Sequence, residues 1–203
     1  MFHASGIVAR PSEADNEIID GVGTEMPPWP TVAPSYGAVV LRKYADSDVD
    51  LAYELGEDPY IPLIGTLVAH PTEEQGLTWI RDQRQRLAQG KGFSFAVADA
   101  QTGRALGAAG LWLHDLAVGR ATVGYAVSPK HRGKGVASQA LRALVAFAWA
   151  IPRLDRIEAY IEPWNRGSVR VAESAGFRLE RLMPESREVD GVLTDMLLYS
   201  LKR

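Results

Sequence analysis

The stretch VSPKHRGKGVASQAL, Val127 to Leu141, is where the periodicity of the chain changes. Just before it, ATVGYAVSP has the β-branched and aromatic content of a strand. Just after it, Val136, Ala140, Leu141, Leu144, Val145 and Ala148 recur at helical spacing and predict a helix buried along one face. The joint carries Gly133 and Gly135, which keep side chains away from an approaching ligand. The N–H groups of a first helical turn have no partner inside the helix, so with the helix dipole, Arg132 and Lys134 they predict an anion site suited to a pyrophosphate.

Outward from this joint, the pattern is mixed α/β. FSFAVAD, ALGAAGLWLHD and ATVGYAVSP read as an antiparallel meander, and AVVLRKY as a strand ahead of it. DSDVDLAYELG reads as a short helix with acids at its positive end, and TEEQGLTWIRDQRQRLAQG as a second helix capped by Thr72 and stopped by Gly90 and Gly92. Downstream come a strand DRIEAYIEP, a helix NRGSVRVAESAG with Asn165 as cap and Gly176 at its exit, and a closing hairpin of FRLERLM and LTDMLLYSLK. Residues 1–36 are polar and turn-rich, with Pro27, Pro28, Pro30 and Pro34 denying a regular ladder, and read as a tail or draped arm.

Composition narrows the function classes. A chain of 203 residues suits one well-buried domain. With 22 Lys and Arg against 25 Asp and Glu, the net charge of -3 argues against a nucleic-acid binder. The absence of cysteine excludes disulfides, thiolate metal sites and cysteine nucleophiles. His3, His70, His114 and His131 show no metal-ligand spacing, so no metal is expected. The N-terminal segment reads as neither signal nor anchor, so a cytoplasmic protein without membrane contact is expected, with a homodimer left open.

Three phosphate readings compete for the loop. A Walker loop needs Ser or Thr after Gly-Lys, and here Gly135 stands there. A dinucleotide fingerprint needs a third glycine where Ser138 stands and an acid at the end of the next strand, whereas Asp155 lies at its beginning. The third reading fits: RGKGVA matches the Arg-x-x-Gly-x-Ala coenzyme A loop, and the chain resembles the GCN5-related N-acetyltransferases (GNAT), in their RimJ/RimL-like branch. LRKYADSDVDLAYEL, the meander, GYAVSPKHRGKGVASQAL, RIEAYIEPWNRGSVRVAESAGF and GVLTDMLLYSL follow that family's order from about Val39 to the C-terminus. The division implied is 1–36 as an arm without counterpart and 37–203 as the acetyltransferase domain.

The resemblance implies an α/β (α+β) fold: a central mixed, mostly antiparallel, splayed sheet of six or seven strands flanked by about four helices. It implies acetyl-CoA as cosubstrate, with pantetheine lying between the strands at GYAVSP and RIEAYIEP. Ala126 and Val127 would pair with it through the main chain, and the Val127 N–H would polarise the thioester carbonyl. Arg132, Gly133, Lys134, Gly135, Val136 and Ala137 would bind pyrophosphate through main-chain N–H groups, and Asn165 the pantetheine arm. Many relatives place an acidic tyrosine where this chain has Ala172, so Ser168 becomes the candidate for protonating the departing thiolate.

The attacking amine must be neutral, at a cost of about 4.6 kcal/mol at pH 7 for a lysine of pKa about 10.4 and only about 1 kcal/mol for an α-amine near 7.8. Glu162 and Glu54 are the candidate bases, with Glu57 and Asp58 on the same wall as Glu54, and such acids would also attract a cationic amine. The acceptor expected is a protein or peptide N-terminal amine or a small-molecule amine. An aminoglycoside or polyamine acetyltransferase and a non-catalytic coenzyme A module are the alternatives. Beside these stand plainer roles: Asn165 as a helix cap alone, Ser168 as a serine bonded to backbone, Glu54 as a dipole complement, and Arg132 and Lys134 as surface cations.

Overall fold

The computed structural model describes residues 26–203. Eight strands form one sheet in the order β1-β2-β3-β4-β5-β6-β8-β7: β1 Ser35–Tyr36, β2 Val39–Arg42, β3 Gly92–Asp99, β4 Ala105–Trp112, β5 Arg120–Val127, β6 Arg156–Ile161, β7 Arg178–Val189 and β8 Val192–Lys202. All neighbours are antiparallel except β5 and β6. The helices are α1 Val49–Gly56, α2 Ile61–Ile64, α3 Glu73–Gln85, α4 Val136–Ala148 and α5 Arg166–Ser174.

The expected splayed mixed sheet is present, with one strand and one helix more than foreseen. The additions are short: β1 is a two-residue rung on β2, and α2 is a single turn with Pro62 at its start. The last hairpin is longer than its sequence suggested, because β7 continues through Pro184. A proline is tolerated there since β7 is the edge of the sheet, and the register shifts between Met183 and Arg187 accommodate it.

Helices cover both faces. Val39, Leu41, Phe93, Phe95, Val123, Tyr125 and Ile157 meet Ala140, Leu141, Leu144 and Ala172 of α4 and α5 on one side. Tyr44, Leu51, Leu55, Ile61, Trp79 and Ile80 fill the other. Covered on both faces, β3 is buried along almost its whole length. The predicted caps are in place: Thr72 and Gln75 exchange reciprocal bonds at α3, and the Asn165 side chain accepts from the Ser168 N–H, 3.1 Å, at α5.

Of the N-terminal arm, residues 26–36 are docked on the domain. The Trp29 ring packs at a tilt against Phe95, centroids 4.8 Å apart, and the Pro34 carbonyl accepts from the Leu41 N–H. Residues 1–25 of the expected arm lie outside the described residues. No described helix is long and apolar enough to cross a membrane.

Candidate active site

The parallel ladder between β5 and β6 holds for three pairs, Arg120 with Arg156, Ala121 with Ile157 and Thr122 with Glu158, and then stops. Beyond it β5 continues against β4 and β6 against β8, so a wedge opens between two strands that each keep only one neighbour. Strand alternation decides which groups face it. The Ser128 N–H bonds the Leu106 carbonyl and the Ala126 carbonyl lies against Gly107, so the main-chain groups of Ala126 turn towards β4. Those of Tyr125 and Val127 turn towards the wedge. Of the two strand residues expected to pair with pantetheine, Val127 therefore has its main-chain groups on the wedge, whereas those of Ala126 belong to the sheet.

At the mouth of the wedge lies a cleft of about 370 Å³ lined by Val127, Gly133, Gly135, Ala137, Gly167 and Arg170. Gly133 and Gly135 have φ of 74° and 76°, a conformation that side chains with a Cβ rarely adopt. A Cβ at Gly133 would meet no protein atom within 4 Å, so the glycines leave open space rather than relieve a protein clash. Gly135 caps α4 without a side chain, and the first bond across the joint is Gln139 N–H to the Gly135 carbonyl. The N–H groups of Val136, Ala137 and Ser138 are thus those of an uncapped first turn bordering the cleft.

The two expected cations behave differently from the glycines. The Arg132 guanidinium is 10 % exposed and donates to the Val127 carbonyl at 3.0 Å and to Asp58 at 2.6 Å. Arg132 also lines the cleft, with its charge paired to Asp58 and its own N–H bent back to the Pro129 carbonyl. Arg132 therefore braces the loop against the segment before α2, where Asp58 also accepts from the Tyr60 and Ile61 N–H groups. Lys134 is exposed and donates to the Lys130 carbonyl.

On the β6 side, Asn165 and Ser168 are buried, at 1 % and 0 % exposure. The Tyr125 hydroxyl, buried between β5 and α5, donates to the Ser168 carbonyl at 3.4 Å. Burial pushes the Tyr125 hydroxyl well above the usual phenol range, so it stays protonated. Sequence reasoning passed over Tyr125, and its alternation with Val127 was the available signal. Ala172 is fully buried in the core, with no hydroxyl to offer.

The two candidate bases differ sharply. Glu54 accepts from the Ser128 hydroxyl at 2.5 Å, Arg104 at 3.1 Å and Lys130 at 3.2 Å. Burial raises its pKa, but the bonds from Ser128 and Lys130 outweigh that and hold it below the usual carboxylate range. It anchors α1 as a fixed anion. Glu162 follows β6, where Ile157, Ala159 and Ile161 face α4 and α5, and alternation sends Glu158, Tyr160 and Glu162 to the other face. Burial pushes its carboxyl up to about 7, against the smaller opposing pull of a bond from its own backbone and of Arg187.

On that same face lies a cavity of about 630 Å³ lined by Trp79, Trp112, Arg86, Tyr125, Ala126 and Arg187, among others. It adjoins the β5 segment that flanks the wedge. His114 lines it, whereas Glu54, Glu57, Asp58 and Glu162 are not among its lining residues. Trp164, half exposed, packs edge-on to Tyr60 at 4.7 Å. Among the described residues no three His, Asp or Glu side chains gather as metal ligands.

Comparison with known proteins gives concordant results. A family model described as an acetyltransferase (GNAT) domain matches residues 38–178. A Bacillus licheniformis protein named as an uncharacterized N-acetyltransferase is 28% identical over 163 residues, covering 80% of this chain and 92% of that protein. The crystal structure of a GNAT-family acetyltransferase from Bacillus anthracis superposes with a TM-score of 0.71 at 22% identity, over 84% of this chain and 98% of the other. Mycobacterium smegmatis RimJ, solved in complex with a coenzyme A disulfide, gives a TM-score of 0.69 at 27% identity over 84% of each chain.

Proposed function

The chain belongs to the GNAT acetyltransferases and is RimJ/RimL-like, an acetyltransferase by family; from that premise we propose that it moves the acetyl group of acetyl-CoA to an α-amine or an amine of similar basicity by direct attack. The observation that carries this reading is the wedge beyond Thr122 and Glu158, opening at the uncapped mouth of α4. A pantetheine arm there is held as an added strand by Tyr125 and Val127, with its diphosphate on the N–H groups of residues 133 to 138. The glycines leave that path open.

The amine nitrogen bonds to the thioester carbon, and the oxygen that gains negative charge is met by the Val127 N–H. Glu162, directly or through one water, takes the proton released from nitrogen; a carboxyl near 7 is half ionised at neutral pH and suits this task. The C–S bond then breaks, and the Ser168 hydroxyl donates to the departing thiolate. Asn165 orients the start of α5 and with it Ser168. Glu54 stays an anchoring anion.

Among acceptors, a peptide N-terminal amine or a small α-amine is favoured over a polyamine or aminoglycoside. Arg86, Lys91 and Arg187 line the acceptor-side cavity against a single acid, Asp82, so a polycation meets repulsion there. Thiol release from acetyl-CoA, monitored with N-terminal peptides, free amino acids and polyamines in parallel, tests this. Turnover confined to polyamines would overturn the acceptor assignment.

A further inference from the structure

We propose that the acceptor carries an anionic group, a carboxylate or a phosphate, close to its amine, and that Arg86 and Arg187 hold that group in the 630 Å³ cavity. The inference rests on the acetyl-transfer reading and adds the chemistry of the acceptor. It starts from a charge imbalance. Three cations, Arg86, Lys91 and Arg187, line a cavity in a chain whose net charge is -3, and Asp82 at its exposed edge is the one acid among the lining residues. The acids that sequence reading had assigned to this wall face elsewhere: Glu54 holds Arg104 and Lys130, and Asp58 holds Arg132.

The two arginines are placed as ligand binders rather than as surface charges. Arg86 is half-buried just after α3, with its guanidinium 5.8 Å from the Trp112 ring centroid and a long bond of 3.4 Å to the Thr66 hydroxyl. A guanidinium laid on an aromatic ring keeps its N–H edge available in the ring's plane, the form that takes both oxygens of a carboxylate or phosphate. Arg187 reaches from β7 to donate to the Ile64 carbonyl at 3.3 Å. Burial depresses both guanidinium pKa values, the sign of cations partly removed from water, with Tyr44 and Asp82 opposing this at Arg86 and Glu162 at Arg187. A bound anion would add to that opposition. Trp79 and Trp112 supply an apolar wall for the rest of the molecule.

Two sources can present this chemistry: the α-carboxylate of a free amino acid or the phosphate of a small aminophosphate, and the acidic side chain at the start of a peptide. Initial rates of thiol release are compared within matched pairs that differ by one anionic group: aspartate α-amide against asparagine α-amide, leucine against leucinamide, phosphoethanolamine against ethanolamine, and Asp-Ala-Ala-amide against Asn-Ala-Ala-amide. The expected result is a preference of about tenfold or more in kcat/KM for the charged member of at least one pair. The pair that responds identifies the source. Arg86→Gln and Arg187→Gln should each reduce that preference towards unity while acetyl-CoA affinity by calorimetry is unchanged, and Arg86→Lys should restore part of it. Equal rates within every pair, or faster turnover of the neutral members, would overturn the anion assignment and leave acetyl transfer standing. Protein that binds acetyl-CoA but acetylates no amine would overturn both.

Discussion

The two halves of the site are built from different materials. The proposed donor side is main chain: the wedge-facing groups of Tyr125 and Val127 and the first-turn N–H groups after Gly135. The proposed acceptor side is side chain: Trp79, Arg86, Trp112 and Arg187 from separate elements converging on one cavity. A site made of backbone depends on where the chain runs, so most substitutions leave it intact and only those that add bulk or bend the path damage it. A site made of side chains can be rewritten residue by residue. The first suits an invariant cosubstrate, the second a variable acceptor.

The comparison can be broken at several points. The largest effect is expected at Glu162, where Glu162→Gln should lower kcat/KM by roughly 10²- to 10⁴-fold, the range for loss of a positioned base, without weakening acetyl-CoA binding. In the parent protein activity should rise with pH through about 7 as the carboxyl ionises, and the variant should lose that limb and keep only the rise near about 7.8 imposed by the acceptor α-amine. Stability has the opposite slope. A carboxyl whose folded pKa lies above its unfolded value keeps its proton in the folded state between the two, so stability falls as pH rises from the ordinary glutamate range towards 7. Glu162→Gln should therefore melt no lower than the parent at pH 8. A clearly lower melting temperature would reveal a structural role instead.

Arg132→Ala should cost about 3–5 kcal/mol in chemical denaturation, because it leaves Asp58 buried without its charge partner. An effect below about 1 kcal/mol, typical of exposed pairs, would show the brace to be dispensable. Gly135→Val places a branched side chain at a φ of 76° beside the diphosphate path, and acetyl-CoA affinity should fall by roughly 100-fold, about 2.7 kcal/mol, by calorimetry. Unchanged affinity would contradict the loop assignment. The smallest effect is expected from Ser168→Ala, which removes one hydrogen bond to the leaving thiolate, about 1 kcal/mol or roughly fivefold in turnover, with affinity held. Equal turnover would assign that donor role elsewhere.

The same contrast explains what could be read from the sequence. Gly133 and Gly135 before a helical repeat, Asn165 three residues before Ser168, and Thr72 before α3 are local signals, and each element lies where its residues placed it. That Tyr125 rather than Ala126 turns its main-chain groups to the wedge follows from the two-residue alternation of a strand: the direction each residue faces depends on the register with β4, and one position of slip exchanges them. Glu54 could not be resolved because Arg104, Ser128 and Lys130, which engage it, are 50 to 76 positions away. Arg187 was invisible for a similar reason. It meets Ile64 across 123 positions, from a strand whose continuation past Pro184 depends on lying at the sheet edge.

The short parallel ladder between β5 and β6 has a further consequence. Within the sheet, three rungs join a five-strand plate to a three-strand plate, so a cosubstrate bound as proposed would also be a removable rib that restores continuity between them. Loading with acetyl-CoA should slow hydrogen–deuterium exchange on both banks of the gap at once, at residues 123–127 and 159–161, and catalytic release of product should return that mechanical slack with every turnover.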